Sequence, residues 1–207
     1  MKYLLLALAT VFCIVCSTPL LSAAEGKLPL PQKSGGKAIF NAIEERASAQ
    51  QASFPTGIIS QEEIATVLWA TSGRSRKDTA WTVPTAKGYD PYVTVYLLAK
   101  DGAYRYEGKT HSLVKVTGEN LIPDVSRQPF ATTASNVLLF VSKLGSARDT
   151  QFGHVLVGAM TQNAYLACDS LNIGARYMAT LNADMLRIKL RLGKDDDLVC
   201  IMPMGKK

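Results

Sequence analysis

Few side chains in this sequence could carry covalent or acid–base catalysis. Histidine occurs only at 111 and 154, and beyond the N-terminal apolar run cysteine occurs only at 168 and 200. Cys168 and Cys200 make no CxxC pair and no HExxH is present, so neither a structural nor a catalytic zinc site is expected. No Ser/His/Asp or Cys/His arrangement stands out as an activated nucleophile. His111 is expected on the surface near a turn and His154 near a helix N-terminus. Gln162-Asn163 falls inside an apolar helical stretch, where amides serve buried backbone or cross a subunit seam more readily than they touch a substrate. Trp69 is expected in the core. The two cysteines could form one disulfide if the protein is exported, but both lie in apolar runs, which favours two free core thiols. What remains is cationic. Lys and Arg exceed Asp and Glu by six. They are scattered rather than striped with aromatics, which reads as a solvated surface mildly favouring anionic ligands and not as a nucleic-acid face.

The elements that must position these groups come from one domain. The 207 residues are 47% hydrophobic and 19% charged, the balance of a folded globular chain. Beyond the N-terminus no apolar run reaches the ~18 residues of a membrane span, so none is expected in the mature protein. Residues 1–24 have the layout of a signal peptide: Lys2, an apolar stretch from Tyr3 to Ser17, and small residues at Ser22-Ala23-Ala24. Export to a bacterial periplasm or secretion follows, with a mature start near Glu25; lipidation of Cys16 is the weaker alternative. Residues 25–36, rich in Pro and Gly, read as a flexible arm, and residues 37–207 as the domain.

Within the domain, Ile39, Phe40, Ile43 and Ala47 recur at helical spacing. Ser60 and Glu63 form a capping box that opens a helix ending at Ser72-Gly73. Tyr92–Leu98, Ala103–Glu107 and His111–Val116 are three short strands joined by turns, an antiparallel meander. Asn136–Val141 is apolar throughout, as in a strand covered on both faces. Phe152–Leu171, studded with small residues, reads as a central helix packed on all sides, with Gly174 supplying the left-handed position that ends it. Ala175–Leu181 is expected to be a strand, Asp184–Leu192 a helix or a strand, and Leu198–Met202 a final buried strand. The class is α+β, one mostly antiparallel sheet covered by helices.

Four stretches, in order, resemble the nitroreductase family, and more closely its SagB/ThcOx-type flavin oxidoreductase branch. Ala42-Ile-Glu-Glu-Arg46-Ala-Ser48-Ala-Gln50 is similar to "ieeRRSxR", and Ile59 to Arg76 to "LxxLLWAAxGxxR". Thr82-Val-Pro84-Thr85-Ala86 looks like "TAPSA", with Gly102-Ala-Tyr-Arg-Tyr106 and His111-Ser-Leu113 following. Gly158 to Gly174 is similar to "GxxxQNxxLxAxxxGLG". The resemblance implies an interlocked homodimer that binds FMN at the subunit interface and uses the flavin to pass hydride or electrons to a small-molecule substrate: an aromatic, a quinone or a nitro compound.

Carried over residue by residue, it places Arg46, Ser48 and Arg76 at the flavin phosphate, with Arg74 as an added nearby cation that compensates for lost ones, Pro84, Thr85 and Ala86 in the loop beside it, and Gly174 against the ring. A guanidinium fork matches phosphate oxygens. The chain departs from the pattern at Ala47 and Gln50, where the motif has arginines, at Trp81 before the "TAPSA" loop, and at Asn172 in "GLG". Weaker FMN binding than in relatives with the full motif is therefore expected. The alternative is a degenerate, flavin-free dimer acting as a binding or structural protein.

Overall fold

The computed structural model describes residues 25–85, 90–144 and 147–207; the expected signal segment, 1–24, and Ala86 lie outside them. In chain order the elements are β1 (Gly26–Lys27), α1 (Ile39–Glu45), α2 (Gln61–Ser72), β2 (Arg74–Ser75), β3 (Ala80–Trp81), β4 (Val93–Ala99), β5 (Gly102–Glu107), β6 (Ser112–Thr117), α3 (Pro129–Thr132), β7 (Asn136–Lys143), α4 (Ala147–Ser170), β8 (Ile173–Ala175), α5 (Ala183–Lys189) and β9 (Asp196–Lys206), with a 3₁₀ turn at Ile122–Asp124.

Local signals account for much of this. At the start of α2, Ser60 Oγ accepts from the Glu63 N–H at 3.2 Å while Glu63 Oε2 accepts from the Ser60 N–H at 2.9 Å. That is the reciprocal capping box the sequence predicts. The meander β4–β5–β6 joins a seven-stranded sheet of order β1-β6-β5-β4-β7-β9-β8, whose neighbours are all antiparallel. Every residue from Asn136 to Ser142 on β7 is buried, as its unbroken apolar run requires. Helices cover both faces. On one, Leu68 of α2 and Met160 and Ala164 of α4 pack in one core with Leu97, Phe140 and Cys200. On the other, Phe130 and Leu186 pack with Leu98, Leu139 and Ile201. Among the described residues no helix is long and apolar enough to cross a membrane.

Several elements differ from the sequence expectation. The central helix begins earlier and is not enclosed: Phe152 and Val155 of α4 are exposed. On α1 the packed residue is Ala42, while Ile39, Phe40 and Ile43 face outward, because the short helix lies close to α4 through its smallest side chain. Asn172, not Gly174, takes the left-handed conformation after α4 (φ 56°), as an asparagine tolerates. Gly174 sits within β8, where a Cβ would stand 2.4 Å from Pro55 Cγ. The strand expected over 175–181 shrinks to β8 plus a single bridge between Met178 and Ile201, and the chain turns away where Thr180 O accepts from Ser126 Oγ. Residues 183–189 are helical, and the last strand is longer than expected.

The arm makes specific contacts with the domain. β1 pairs with β6, Leu28 is buried, Pro29 O lies 3.0 Å from His111 Nε2, and the Gln32 N–H reaches Thr66 Oγ1 at 3.0 Å. These partners are far from the arm in sequence, so its own composition cannot announce them.

Candidate functional site

The residues singled out by the sequence gather at two places flanking α4. The first lies just beyond the C-terminus of α1. Arg46 caps that helix with its N–H on Ala42 O and lays its guanidinium 5.0 Å from the centre of the Tyr165 ring. Ser48 Oγ lies 2.9 Å from Tyr165 Oη, which also accepts from the Tyr177 N–H at 2.6 Å. Tyr165 Oη thus bridges the Tyr177 amide and the Ser48 hydroxyl and holds Ser48 Oγ in place. The backbone is pinned alongside by Ala49 N–H to Ala175 O, 2.9 Å, and by Arg176 Nη1 to Ala49 O, 2.9 Å. Gly174 belongs to this group, but its lack of a side chain is explained by the Pro55 contact. Tyr165 and Arg176 were not singled out by the sequence, because an aromatic in an apolar helix and an arginine after a short strand carry no motif of their own.

The second group is the β2–β3 hairpin. Arg74 stacks on Trp81 at 4.8 Å and also donates to Asp78 O; Arg76 Nη2 donates to Trp81 O at 2.9 Å. Trp81 thus organises both neighbouring cations. Pro84 is exposed and Thr85 half-buried at the end of this segment. Asn163 of α4 anchors it, with Nδ2 donating to Ala70 O at 3.1 Å and to Thr82 O at 3.2 Å. Its neighbour Gln162 is exposed. Asn163 serves buried backbone, as its position in an apolar helix suggests.

A cavity of about 520 Å³ opens between this hairpin, α2, α4 and the arm. Arg76, Trp81 and Asn163 line it, and so does Trp69, expected in the core but half-buried, its Nε1 donating to Arg74 O at 2.8 Å. His111 is half-buried rather than fully exposed. Tyr106 Oη lies 2.8 Å from its Nδ1 and Pro29 O lies 3.0 Å from its Nε2, so the neutral ring donates from Nε2 to the carbonyl and accepts from the phenol. Burial lowers its pKa from the ordinary 6.5, and burial also pushes the Tyr106 phenol up. His154 instead meets Asp197 on the surface at 2.7 Å. Cys168 and Cys200 are free and buried, and burial pushes both thiols up to about 12, which rules them out as nucleophiles near neutral pH. Among the described residues, no group of three His, Cys, Asp or Glu side chains could hold a metal ion.

For an anionic cofactor the donor set at the first group is suitable. Arg46 meets no carboxylate among the described residues, so its N–H donors are unspent, and a serine hydroxyl is held beside it. That combination of cation and directed hydroxyl suits a phosphate. Arg74 and Arg76 are partly committed to the hairpin.

The model of the nitroreductase family matches residues 43–206. Among curated proteins, a candidate nitroreductase of Methanocaldococcus jannaschii is 25% identical over 181 residues, covering 80% of this chain and 88% of its own. Among solved structures, a candidate nitroreductase from Ralstonia eutropha JMP134 is 26% identical with a TM-score of 0.77, covering 87% of this chain and 88% of the other. An FMN-dependent nitroreductase from Clostridium difficile R20291 has the same fold at 10% identity, with a TM-score of 0.58 and coverage of 81% and 87%.

Proposed function

The chain belongs to the nitroreductase family, and on that premise we propose that it is an FMN-dependent oxidoreductase acting on a small aromatic, quinone or nitro substrate. The observation that carries the reading is Arg46, a guanidinium with unspent donors held over Tyr165 beside the Ser48 hydroxyl. Arg46 and Ser48 hold the phosphate; Arg76, Pro84 and Thr85 belong to the hairpin segment that completes the site. Bound flavin supplies hydride and electron transfer. The protein's share is to fix the phosphate, keep α4 and the hairpin in register through Asn163, and leave a slot for substrate. The SagB/ThcOx-type branch is supported by Ile59 to Arg76 and by the Gln162-Asn163 pair.

The functional unit is a homodimer. Ile39 and Phe40 on α1 and Phe152 and Val155 on α4 are large apolar side chains left exposed by a single chain, and an obligate interface of the usual size, above roughly 2,000 Å², would cover them. The protein is exported after cleavage near Glu25. Intact-mass measurement of the exported form tests this: retention of residues 1–24, or a diacylglycerol mass on Cys16, speaks against it. Outside the cytoplasm soluble NAD(P)H is not expected, so another electron donor is required.

A second reading, a flavin-free dimer serving as a binding or structural protein, is favoured by the commitment of Arg74 and Arg76 to Trp81. The visible spectrum of protein purified from its native compartment, before and after FMN is added, separates the two. Flavin absorbance or saturable uptake supports the oxidoreductase. Neither, in folded protein, supports the second reading.

A further inference from the structure

We propose that the cavity between the N-terminal arm, α2, α4 and the β2–β3 hairpin binds a flat aromatic carboxylate. The volume of about 520 Å³ lies within the range of small-molecule sites, and the character of the lining is that of such sites, apolar walls with a few convergent polar groups. The indoles of Trp69 and Trp81 and the aliphatic Leu166 supply the walls, which favours a planar aromatic body.

The polar groups specify the rest. Thr82 lines the cavity, and its Oγ1 is buried with no hydrogen-bond partner among the described residues. A buried hydroxyl left in that state is disfavoured, and a ligand oxygen would relieve it. Beside it, Asn163 has spent Nδ2 on Ala70 O and Thr82 O, which leaves Oδ1 as an acceptor. The charges have one sign. Lys33, Lys37 and Arg76 line the cavity, and among the described residues no Asp or Glu does. Lys37 is already neutralised by Asp169 and Glu45, each at 2.7 Å. Lys33 is not: its Nζ stands 5.4 Å from the centre of the Trp69 ring, over the wall where the ligand would lie. A cation held at the edge of an indole-walled cavity, with no carboxylate in the lining, selects an anion attached to the ring system.

The arm forms one side of the cavity. It is fastened upstream by His111 on Pro29 O and by Thr66 on the Gln32 N–H, and downstream by Lys37 on Asp169, so the intervening residues span the cavity and carry Lys33 to it. The cavity lies apart from the Arg46–Ser48 cluster, neither of whose side chains lines it, although it shares Arg76 with the hairpin segment of the proposed flavin site.

Calorimetric titration of the full flavin-stripped protein with 2-naphthoate, and with the neutral 2-naphthalenemethanol, tests the assignment. The expected result is one naphthoate per chain, bound at least tenfold more tightly than the alcohol. Thr82→Val should weaken both ligands five- to tenfold, and Lys33→Met should bring naphthoate to the level of the alcohol. Since Lys33 is exposed, that variant keeps the test decisive even if Thr82→Val fails to fold. No saturable naphthoate binding, equal affinities in the wild type, or naphthoate displaced one for one by FMN would each overturn the proposal. Naphthoate binding to a protein that takes up no FMN would leave this site standing and remove only the oxidoreductase reading.

Discussion

Tyr165 Oη and Ser48 Oγ lie 2.9 Å apart, joining the C-terminal part of α4 to the segment that follows α1. The same phenol accepts from the Tyr177 N–H, and the same ring carries the Arg46 guanidinium on its face. One side chain therefore positions both candidate phosphate ligands and the loop after β8. Tyr165→Phe keeps the ring and removes the hydroxyl. It is expected to weaken FMN by about 0.5–1.5 kcal/mol, roughly two- to tenfold, through loss of the Ser48 hydrogen bond. Tyr165→Leu, which removes the ring as well, should weaken it further. Fluorescence titration against FMN and riboflavin checks this; equal losses for the two ligands would mean that Tyr165 acts on the fold and not on the phosphate.

Arg46 itself is expected to matter more. Arg46→Ala removes a charge-assisted contact and should cost on the order of 1.5–3 kcal/mol of FMN affinity, roughly 10- to 150-fold, with thermal stability little changed. Arg76→Ala should cost less, since part of that guanidinium already serves Trp81 O. Raising the salt concentration should weaken FMN more than riboflavin, which has no phosphate. FMN affinity unchanged in both variants would remove these arginines from the site.

What the sequence made legible was local. The capping box at Ser60 and Glu63, the meander, and β7 follow from spacings of a few residues, and each is where the pattern puts it. The spacing of Ile39, Phe40 and Ile43 announced an apolar face but not what covers it, and in one chain nothing does. Gly174 drew a cofactor explanation, while its contact with Pro55, more than a hundred residues away, was not visible in the sequence. The arm, His111 and the cavity were illegible for the same reason. The His111–Pro29 bond spans 82 residues, and neither partner has a sequence signature that names the other. Within the candidate site Arg46 and Ser48 were visible as motif residues, while Tyr165, which holds them, was not.

The arm gives stability a pH dependence of definite sign. Burial lowers the folded-state pKa of His111 below the ordinary 6.5, although its Pro29 acceptor opposes the shift. Above pH 6.5 both folded and unfolded states hold the ring neutral and the contribution is fully present. As pH falls below 6.5 the unfolded chain takes up a proton that the folded chain resists, so stability declines. Thermal melts at pH 7.5, 6.5 and 5.5 should show a fall that is shallower in His111→Asn. Asparagine suits that replacement because residue 111 has φ 51°, a conformation it tolerates. Parallel pH curves for the two proteins would exclude His111 as the source.

Cys168 and Cys200 are both free and inaccessible, with thiols pushed up to about 12 by burial. Neither should react with a thiol reagent such as DTNB in the native protein at pH 8, and two thiols per described domain should appear on unfolding in guanidinium. Rapid native labelling at either position would show that the core opens there far more readily than its packing implies.

The apolar faces of α1 and α4 lead to the last prediction. Val155 is 65% exposed and Phe40 80% exposed, while Ala42 and Leu156 beside them are almost fully buried, so each helix has a packed side and an unpartnered apolar side. On α4 the open side continues through Gly158, where a Cβ would meet nothing within 4 Å in a single chain. If a second copy covers this strip, a charge placed on it must be desolvated against an apolar surface, whereas in a monomer the same charge stays in water. Val155→Asp should therefore convert a dimer into a monomer or an aggregate, with the monomeric fold retained in circular dichroism. Gly158→Ala discriminates further. In a monomer it should stabilise by about 0.5–1 kcal/mol, since alanine is the better helix former, but a tightly packed seam would make it neutral or destabilising. Light scattering and thermal melting of the wild type and both variants decide the matter. A wild type that stays monomeric at micromolar concentration, together with a stabilised Gly158→Ala, would overturn the homodimer.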